Sequence, residues 1–296
     1  MREIVNPAPQ ANELVALKPP PTKAACCEDG AMYVILDTSA YAHKLGGPNG
    51  RDDPVMIFLF SDFGLDGPYQ GQMKAVLASR APHIPVIDLM ADAPAFKPKE
   101  SAYLLAALLP ECPAGGVVLA VVDPGVGGER PPLAVRSGGR WLVGPGNGLF
   151  DPFVRRYGID ECRRLQPDPG GRLSASFHGR DLFAPAAARL ALGEIGDWAL
   201  LDYPFQPGWP EDLPAVIYVD HYGNAMTGLR ASGLSRNARI VAGDRILERA
   251  RTFSDRPPGE VFWYENSCGL VEIAVNQGRA DRLPGMEPGC PLMILP

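Results

Sequence analysis

The stretch that most constrains the fold of this chain is an uninterrupted apolar run at residues 116–122, G-V-V-L-A-V-V. Such a run is typical of a strand buried on both faces of a parallel sheet. It ends abruptly at Asp123, in the sequence D-P-G-V-G-G-E-R, where proline and glycine favour a tight loop. Ligands of open α/β sheets bind at the carboxyl ends of strands, which makes Asp123 and Arg130 candidate site residues. Taken alone, the same pattern is also common turn chemistry.

Alternating strand and helix patterns surround this run. Short apolar stretches at residues 57–60 and 86–89 precede it, and the segments that follow them, 68–80 and 98–109, carry apolar side chains at helical spacing. Helices between short buried strands predict a mainly parallel sheet of right-handed βαβ units. We therefore predict an α/β N-terminal domain over residues 56–196.

The pattern changes after residue 196. Residues 197–214 contain several prolines and two tryptophans without helical periodicity, and are interpreted as a linker. Beyond it, short apolar stretches at 215–219, 238–242, 261–264 and 270–275 leave little room for helices. We predict a mostly β, barrel-like C-terminal domain over residues 215–296.

Residues 1–55 differ in composition from the rest of the chain. Three consecutive prolines occupy positions 19–21, and only residues 32–36 fit a strand. We interpret this segment as a disordered tail, or as the result of a start codon assigned too far upstream, and predict no function for it.

Charge and composition exclude several classes of protein. The net charge is −6 and the isoelectric point is near 5.3, whereas nucleic-acid binding requires clustered basic residues. No apolar run approaches the roughly 18 residues of a membrane span, and the N-terminus lacks the apolar region of a signal peptide. We expect a soluble, cytoplasmic protein with no nucleic-acid or membrane partner. The six cysteines show no C-x-x-C and no zinc spacing, which predicts reduced thiols and no metal site.

Several further motifs are weak individually. His178 stands at a predicted helix entrance in F-H-G-R-D, where a histidine more often has a capping role than a catalytic one. The sequences D-H-Y-G-N at residues 220–224 and N-S-C-G at 266–269 each follow a predicted strand, and each could be an ordinary turn.

Taken together and in order, these motifs closely resemble one family. They are S-D-F-G-L-D-G-P-Y-Q-G-Q-M-K-A-V at 61–76, V-V-D-P-G-V-G-G-E-R at 121–130, G-P-G-N-G at 144–148, F-H-G-R-D-L-F-A-P-A-A-A at 177–188, V-D-H-Y-G-N-A-M-T at 219–227 and N-S-C-G-L-V-E-I-A-V-N at 266–276. The sequence resembles the S-adenosyl-L-methionine (SAM) hydroxide adenosyltransferases, the SAM hydrolases related to fluorinase and chlorinase. The resemblance covers about residues 56–296. It implies an α/β domain followed by a β-barrel domain, and a homotrimer that binds SAM between subunits. It also implies conversion of SAM and water to adenosine and L-methionine, without a cofactor.

The resemblance implies that Asp123, Arg130 and His178 form the catalytic set. SAM is a sulfonium, so displacement at C5′ releases methionine as a neutral thioether and requires no general acid. Water must instead be oriented and lose a proton, which a carboxylate or an imidazole can accept. Arg130 stays protonated and is suited to orienting Asp123. Whether Asp123 or His178 accepts the proton is open at this point.

The resemblance also implies a set of substrate contacts: Asp62, Asp66, Phe96, Phe177, Asp220, Tyr222, Asn224 and Ser267. Asp62 would accept hydrogen bonds from the ribose hydroxyls. Asp220 and Ser267 would hold the amino and carboxylate groups of the methionine part, and Tyr222 and Asn224 would contact the adenine.

This sequence departs from the family pattern in two motifs. The family's D-x-T-H is D-L-M-A at residues 88–91, and its G-P-D-N-G has glycine at position 146. The alternatives are a SAM-dependent halogenase and a non-catalytic SAM- or nucleoside-binding protein. Fluorinase has tyrosine in place of Asp123, whose charge would repel a halide. The complete Asp123, Arg130 and His178 set argues against a protein that only binds SAM.

Overall fold

The computed structural model describes residues 55–296 and two short strands before them, β1 (Lys23–Cys26) and β2 (Met32–Ile35). The chain divides into two compact units, residues 1–46 and 47–296. In the first unit, β1 and β2 pair in antiparallel fashion. β2 falls within the stretch predicted as a strand, whereas β1 was not predicted. The predictions of disorder or an upstream start for the other residues before 55 lie outside the described residues.

The second unit contains the remaining elements. Its helices are α1 (Pro68–Arg80), α2 (Pro98–Leu108), α3 (Asp151–Tyr157) and α4 (Ala184–Ala191), with a π-helical turn at Gly179–Phe183 and 3-10 turns at Leu109–Glu111, Ala231–Gly233, Phe253–Asp255 and Ala280–Arg282. Its strands are β3 (Ile57–Ser61), β4 (Val86–Met90), β5 (Val117–Val121), β6 (Pro132–Ser137), β7 (Arg140–Pro145), β8 (Glu161–Arg164), β9 (Leu213–Val219), β10 (Ala225–Arg230), β11 (Arg239–Ala242), β12 (Arg245–Leu247), β13 (Val261–Glu265), β14 (Leu270–Val275) and β15 (Leu292–Leu295).

The first six of these strands form one mixed sheet in the order β4-β3-β5-β7-β6-β8. The pairs β3/β4, β3/β5 and β5/β7 are parallel, and the pairs β6/β7 and β6/β8 are antiparallel. The apolar run is the central strand β5, which is buried along its whole length. Val118 and Ala120 join a core with α2 and α3, while Val117 and Leu119 face the opposite core with α1 and α4. The apolar run in the sequence is uninterrupted because helices cover both faces of this strand.

The C-terminal part consists of two antiparallel sheets, ordered β13-β14-β10-β9 and β12-β11-β15. A bridge between Ala215 and Pro291 connects them, and a shared core includes Trp263, Ile240 and Val271. The predicted fold class, an α/β part with a mainly parallel sheet followed by a mostly β part, is confirmed. The strands β8, β10, β12 and β15 were not predicted. Three of them have only three or four residues, which carry too little periodicity to identify.

Polar contacts hold the segment between the two parts and the first strand of the β part. The carboxylate of Asp151 is fully buried and accepts hydrogen bonds from the Tyr203 hydroxyl and the Gln206 amide, each at 2.8 Å. Tyr218 on β9 donates to Asp92 at 2.8 Å, which links the β part to the loop after β4. These contacts attach the C-terminal sheets to the α/β part. Within residues 55–296, no helix has the length and apolar character of a membrane span.

Candidate active site

A cavity of about 400 Å³ opens at the carboxyl ends of β3 and β5, and we call it the N-terminal cavity. Ser61 pairs with Val121 in the parallel register, so that Asp62 and Asp123 leave the sheet next to each other. This is the edge at which parallel sheets bind ligands. The lining residues are Asp62, Phe63, Tyr69, Phe96, Val121, Asp123, Pro124, Val126, Ser176, Phe177, His178 and Gly179.

Arg130 connects the other two residues of the predicted catalytic set. Its Nε donates to Asp123 at 3.0 Å and 3.1 Å, and its Nη2 donates to the same carboxylate. Nη2 also lies 3.0 Å from His178 Nδ1. The Arg130 and Asp123 side chains are only 9% and 4% exposed, so solvent screens this ion pair little. The fold thus brings together residues that lie 7 and 48 positions apart in the sequence.

This contact determines the tautomer of His178. A guanidinium can only donate, so Nδ1 must accept and, in the neutral ring, the proton is on Nε2. Burial lowers the pKa of His178, and the positive charge of Arg130 lowers it further, against the opposing effects of Asp123 and Asp181. The imidazole is therefore held neutral, with an N–H at Nε2 to offer to a ligand.

The loop that carries Asp123 requires glycine where it approaches a neighbouring segment. Gly127 has φ +79°, and a Cβ there would lie 2.6 Å from the carbonyl oxygen of Ala175. Only glycine satisfies both conditions. The close approach packs the Asp123 loop against the segment that leads to His178.

Asp62 and Phe96 form the opposite side of the cavity. The Asp62 carboxylate accepts a hydrogen bond of 3.0 Å from the Phe96 amide. Burial raises the pKa of Asp62, an effect that this hydrogen bond opposes. Phe96 has φ 61°, a left-handed conformation that a bulky residue rarely adopts, and its side chain is 77% exposed. Such strain is concentrated at ligand sites, and here the Asp62 contact maintains it.

An aromatic wall completes the N-terminal cavity. Phe63, Tyr69 and Phe177 pack with ring centroids 5.3 to 5.8 Å apart. Arg180 lies over the Phe177 ring at 5.0 Å and pairs with Asp181, which also accepts from the Ser174 amide at 2.8 Å. This arrangement fixes the position of Phe177, next to His178.

A second cavity of about 800 Å³ lies in the β part, and we call it the C-terminal cavity. Its lining residues are Asp220, Tyr222, Asn224, Met226, Phe253, Tyr264, Asn266, Ser267, Glu272, Val275, Gln277, Gly278 and Arg279. The Asp220 carboxylate accepts from the Asn224 amide at 2.8 Å and from Asn224 Nδ2 at 2.9 Å. Tyr222 is 73% exposed at the rim, whereas Asn224 is buried.

The predicted site residues therefore fall into two groups. Asp123 and His178 line the N-terminal cavity together with Asp62, Phe96 and Phe177. Arg130 contacts both Asp123 and His178. Asp220, Tyr222, Asn224 and Ser267 line the C-terminal cavity. Asp66 is exposed and lines neither of these cavities.

Sequence reasoning missed several residues of the C-terminal cavity, among them Phe253, Tyr264, Glu272 and Arg279. One signal was available: Glu272 is the only charged residue in the apolar strand sequence L-V-E-I-A-V. The other positions are brought to the cavity by strand pairing and by loops, which leave no local pattern. Among residues 55–296, no group of three or more His, Cys, Asp or Glu side chains has an arrangement that could hold a metal ion.

The departure at position 146 has a steric cause. A Cβ on Gly146 would lie 2.8 Å from both Cγ and the carbonyl oxygen of Pro131, and 2.9 Å from Leu133 Cδ1. In this chain the position accommodates only glycine, which leaves no side chain to extend toward a ligand.

Two curated proteins that carry the same name are similar to this chain over most of its length. A curated (R)-S-adenosyl-L-methionine hydrolase of Thermus thermophilus is 40% identical over 262 residues, which is 81% of this chain and 99% of that protein. A protein of the same name from Salinispora arenicola is 41% identical over 255 residues, covering 80% and 97% of the two chains.

Solved structures support the same relationship. A crystal structure of an uncharacterized conserved protein from Thermotoga maritima aligns with a TM-score of 0.72 at 28% identity, covering 81% of this chain and 100% of that one. The profile of the SAM hydroxide adenosyltransferase N-terminal domain matches residues 57–197, and that of the C-terminal domain matches residues 214–293. The two profiles together span most of the sequence, and the chain belongs to the SAM hydroxide adenosyltransferase family.

Proposed function

We propose that this protein hydrolyses SAM to adenosine and L-methionine. The observation that carries the proposal is the bridge from Asp123 through Arg130 to His178 at the carboxyl end of β5. The names of the curated relatives, (R)-S-adenosyl-L-methionine hydrolases, support the choice of substrate. They also specify the (R) configuration at sulfur, and we propose the same substrate epimer here.

The proposed reaction is a direct displacement at C5′ of the ribose. The water oxygen forms a bond to C5′ while the bond from C5′ to sulfur breaks, and the electron pair of that bond neutralises the sulfonium. The leaving group is a neutral thioether, so neither an acid nor a metal or cofactor is required to stabilise it. The protein must hold the water in line with the breaking bond and accept its proton.

We assign the proton to Asp123 and the orientation of the water to His178. Nδ1 of His178 is occupied by Arg130, and Nε2 carries a proton in the neutral ring, so His178 can donate to the water oxygen but has no free lone pair for its proton. The Asp123 carboxylate retains lone pairs beyond those directed at Arg130. Arg130 keeps both groups in place and stabilises the developing hydroxide character.

The substrate contacts are divided between the two cavities. Asp62 would accept hydrogen bonds from the ribose hydroxyls, and Phe96 and Phe177 would lie beside the ribose and C5′. Asp220 and Ser267 would bind the methionine part, and Tyr222 and Asn224 the adenine. The family resemblance implies a homotrimer. Since the two groups of residues line different cavities, we propose that the N-terminal cavity of one subunit faces the C-terminal cavity of the next. We further propose that the protein acts in the cytoplasm and has no nucleic-acid partner.

The test is a product assay with the purified protein. Each sulfonium epimer of SAM is supplied separately, with and without excess EDTA, and the products are quantified by chromatography. Adenosine and methionine in equal amounts, formed from the (R) epimer and unaffected by EDTA, are expected. SAM binding without turnover, or a 5′-halogenated nucleoside formed in chloride buffer, would overturn the proposal. Sedimentation at several protein concentrations tests the trimer.

A further inference from the structure

Glu272 is a buried carboxylate in the wall of the C-terminal cavity. It lies in the middle of β14 and is 2% exposed. One carboxylate oxygen accepts from the Tyr264 hydroxyl at 2.5 Å, and the other accepts from Asn266 Nδ2 at 2.8 Å. Both donors are uncharged.

The cavity contains a second carboxylate, Asp220, whose hydrogen bonds come from Asn224 and are also uncharged. The cation in the lining, Arg279, forms its ion pair with Asp281 at 2.6 Å and donates to the His221 carbonyl at 3.0 Å. The pKa of Arg279 is raised mainly by the hydrogen bond to Asp281 and also by the charge of Asp220. Among the described residues, neither Glu272 nor Asp220 forms an ion pair. Glu272 is the buried one of the two, and burial raises its pKa, an effect to which the negative charge of Asp220 adds. A cation bound in the cavity would offset both effects, so the cavity is electrostatically suited to a cation.

Glu272 also fixes the turn that carries Ser267. The Asn266 amide directs Nδ2 at Glu272, which leaves Oδ1 to accept from the amides of Cys268 and Leu270, each at 3.0 Å. Because a carboxylate accepts and cannot donate, Glu272 permits only this orientation of the Asn266 side chain. The exposed Ser267 at the tip of the turn lines the same cavity.

We propose that Glu272 is a specificity-determining residue that, together with Asp220, makes the C-terminal cavity select a ligand carrying an ammonium group. It acts directly through its charge and, as a positioning residue, through Asn266 on the Ser267 turn. An ammonium fits better than the sulfonium because its N–H groups can donate to carboxylates. This inference rests on the proposed function, in which the ligand is the amino acid part of SAM.

The experiment compares ligands that differ in charge. S-adenosyl-L-homocysteine keeps the ammonium but not the sulfonium, and 5′-methylthioadenosine has neither. Their affinities are measured by calorimetry for the wild-type protein and for Glu272→Gln, which keeps the side-chain shape and removes the charge. We expect Glu272→Gln to weaken the binding of S-adenosyl-L-homocysteine by about 10- to 100-fold in Kd, which is the usual size of a lost charge-assisted contact. The affinity for 5′-methylthioadenosine should change less than about twofold.

Kinetics separate a positioning role from a structural one. In Glu272→Gln, the KM for SAM should rise by the same factor while kcat stays within about threefold, because the ammonium contact exists equally in ground and transition states. The matched control is Glu265→Gln on the neighbouring strand β13. It removes an exposed carboxylate that pairs with Arg249, and it should change neither kcat nor KM.

Each other outcome rejects the proposal. If Glu272→Gln weakens the binding of S-adenosyl-L-homocysteine and of 5′-methylthioadenosine equally, Glu272 has a purely structural role. If neither affinity changes, Glu272 takes no part in ligand recognition. If Glu272→Gln does not fold, the wild-type protein still provides the test with N-acetylated S-adenosyl-L-homocysteine, and equal binding of the acetylated and free amines would overturn the selection of an ammonium. A wild-type protein that releases no adenosine from SAM would reject the proposed hydrolase, which is a separate result from these.

Discussion

In the N-terminal cavity the carboxylate of Asp123 is paired with the guanidinium of Arg130, whereas in the C-terminal cavity Asp220 and Glu272 accept hydrogen bonds from neutral groups. Asp123 and Glu272 are both removed from water, but only Asp123 forms an ion pair with a cation of the protein among the described residues. A carboxylate with its own cation is preorganised to orient a neutral molecule such as water. Glu272, which is buried without one, is complementary to a positively charged ligand. We therefore expect the chemical step in the N-terminal cavity and the recognition of a charged ligand group in the C-terminal cavity.

The largest effect is expected from Asp123. Replacing Asp123 by Asn should lower kcat by about two to four orders of magnitude, the usual size of a lost base, with little change in the affinity for SAM. Single-turnover kinetics and equilibrium binding measure the two quantities. Glu129→Gln, an exposed carboxylate in the same loop, is the control and should behave as the wild-type protein does. A change confined to KM would place Asp123 among the binding residues and remove the contrast between the cavities.

His178 should act on the same water molecule as Asp123. His178→Ala is expected to reduce kcat by about 100-fold or more, and the double variant should be hardly worse than Asp123→Asn alone, because groups that act as a unit are not additive. A double-mutant cycle of kcat values checks this. Additive losses would mean that the two residues have separate roles.

Asp62 lies in the N-terminal cavity but should behave like a binding residue. Asp62→Ala removes a proposed ribose contact that exists in both ground and transition states, so KM should rise by about 10- to 100-fold while kcat changes little. Steady-state kinetics with SAM measure the split. The same substitution removes the acceptor of the Phe96 amide hydrogen bond and thereby releases the left-handed backbone of Phe96. If kcat falls more than KM rises, Asp62 contributes to the chemical step through that loop.

The smallest effect concerns pH. Because burial and Arg130 lower the pKa of His178, the neutral ring should persist below pH 6.5, the ordinary histidine value. The acid limb of kcat/KM should therefore begin below pH 6.5, where protonation of the ring disrupts the contact between Nδ1 and Arg130. His178→Gln should remove that contribution to the limb. An acid limb that begins above pH 6.5 and disappears in His178→Gln would contradict a lowered pKa.

The relation between sequence and structure differs for the two cavities. In the N-terminal cavity, Asp62 and Asp123 follow strand ends, so the apolar run before Asp123 indicated where that side chain would emerge. The residues of the C-terminal cavity that the sequence did not indicate, such as Tyr264 and Phe253, lie within a strand and in a 3-10 turn. Their convergence depends on the pairing of β13 with β14 and on the position of that turn. Antiparallel sheets built from short strands offer no comparable rule for locating a site.

The sequence by itself determined the fold class and the family, because buried strands and ordered motifs are local patterns that survive in one dimension. It also selected Asp123, Arg130 and His178, whose roles remain predictions. Only the tertiary structure decided that Arg130 contacts both partners, that His178 presents Nε2–H, and that the predicted substrate-binding residues divide between two cavities. These properties depend on distances and directions between atoms, and on burial by distant segments, which the order of residues does not specify. The neutral surroundings of Glu272 belong to the same class, since a charged residue in an apolar strand gains its meaning from what packs around it.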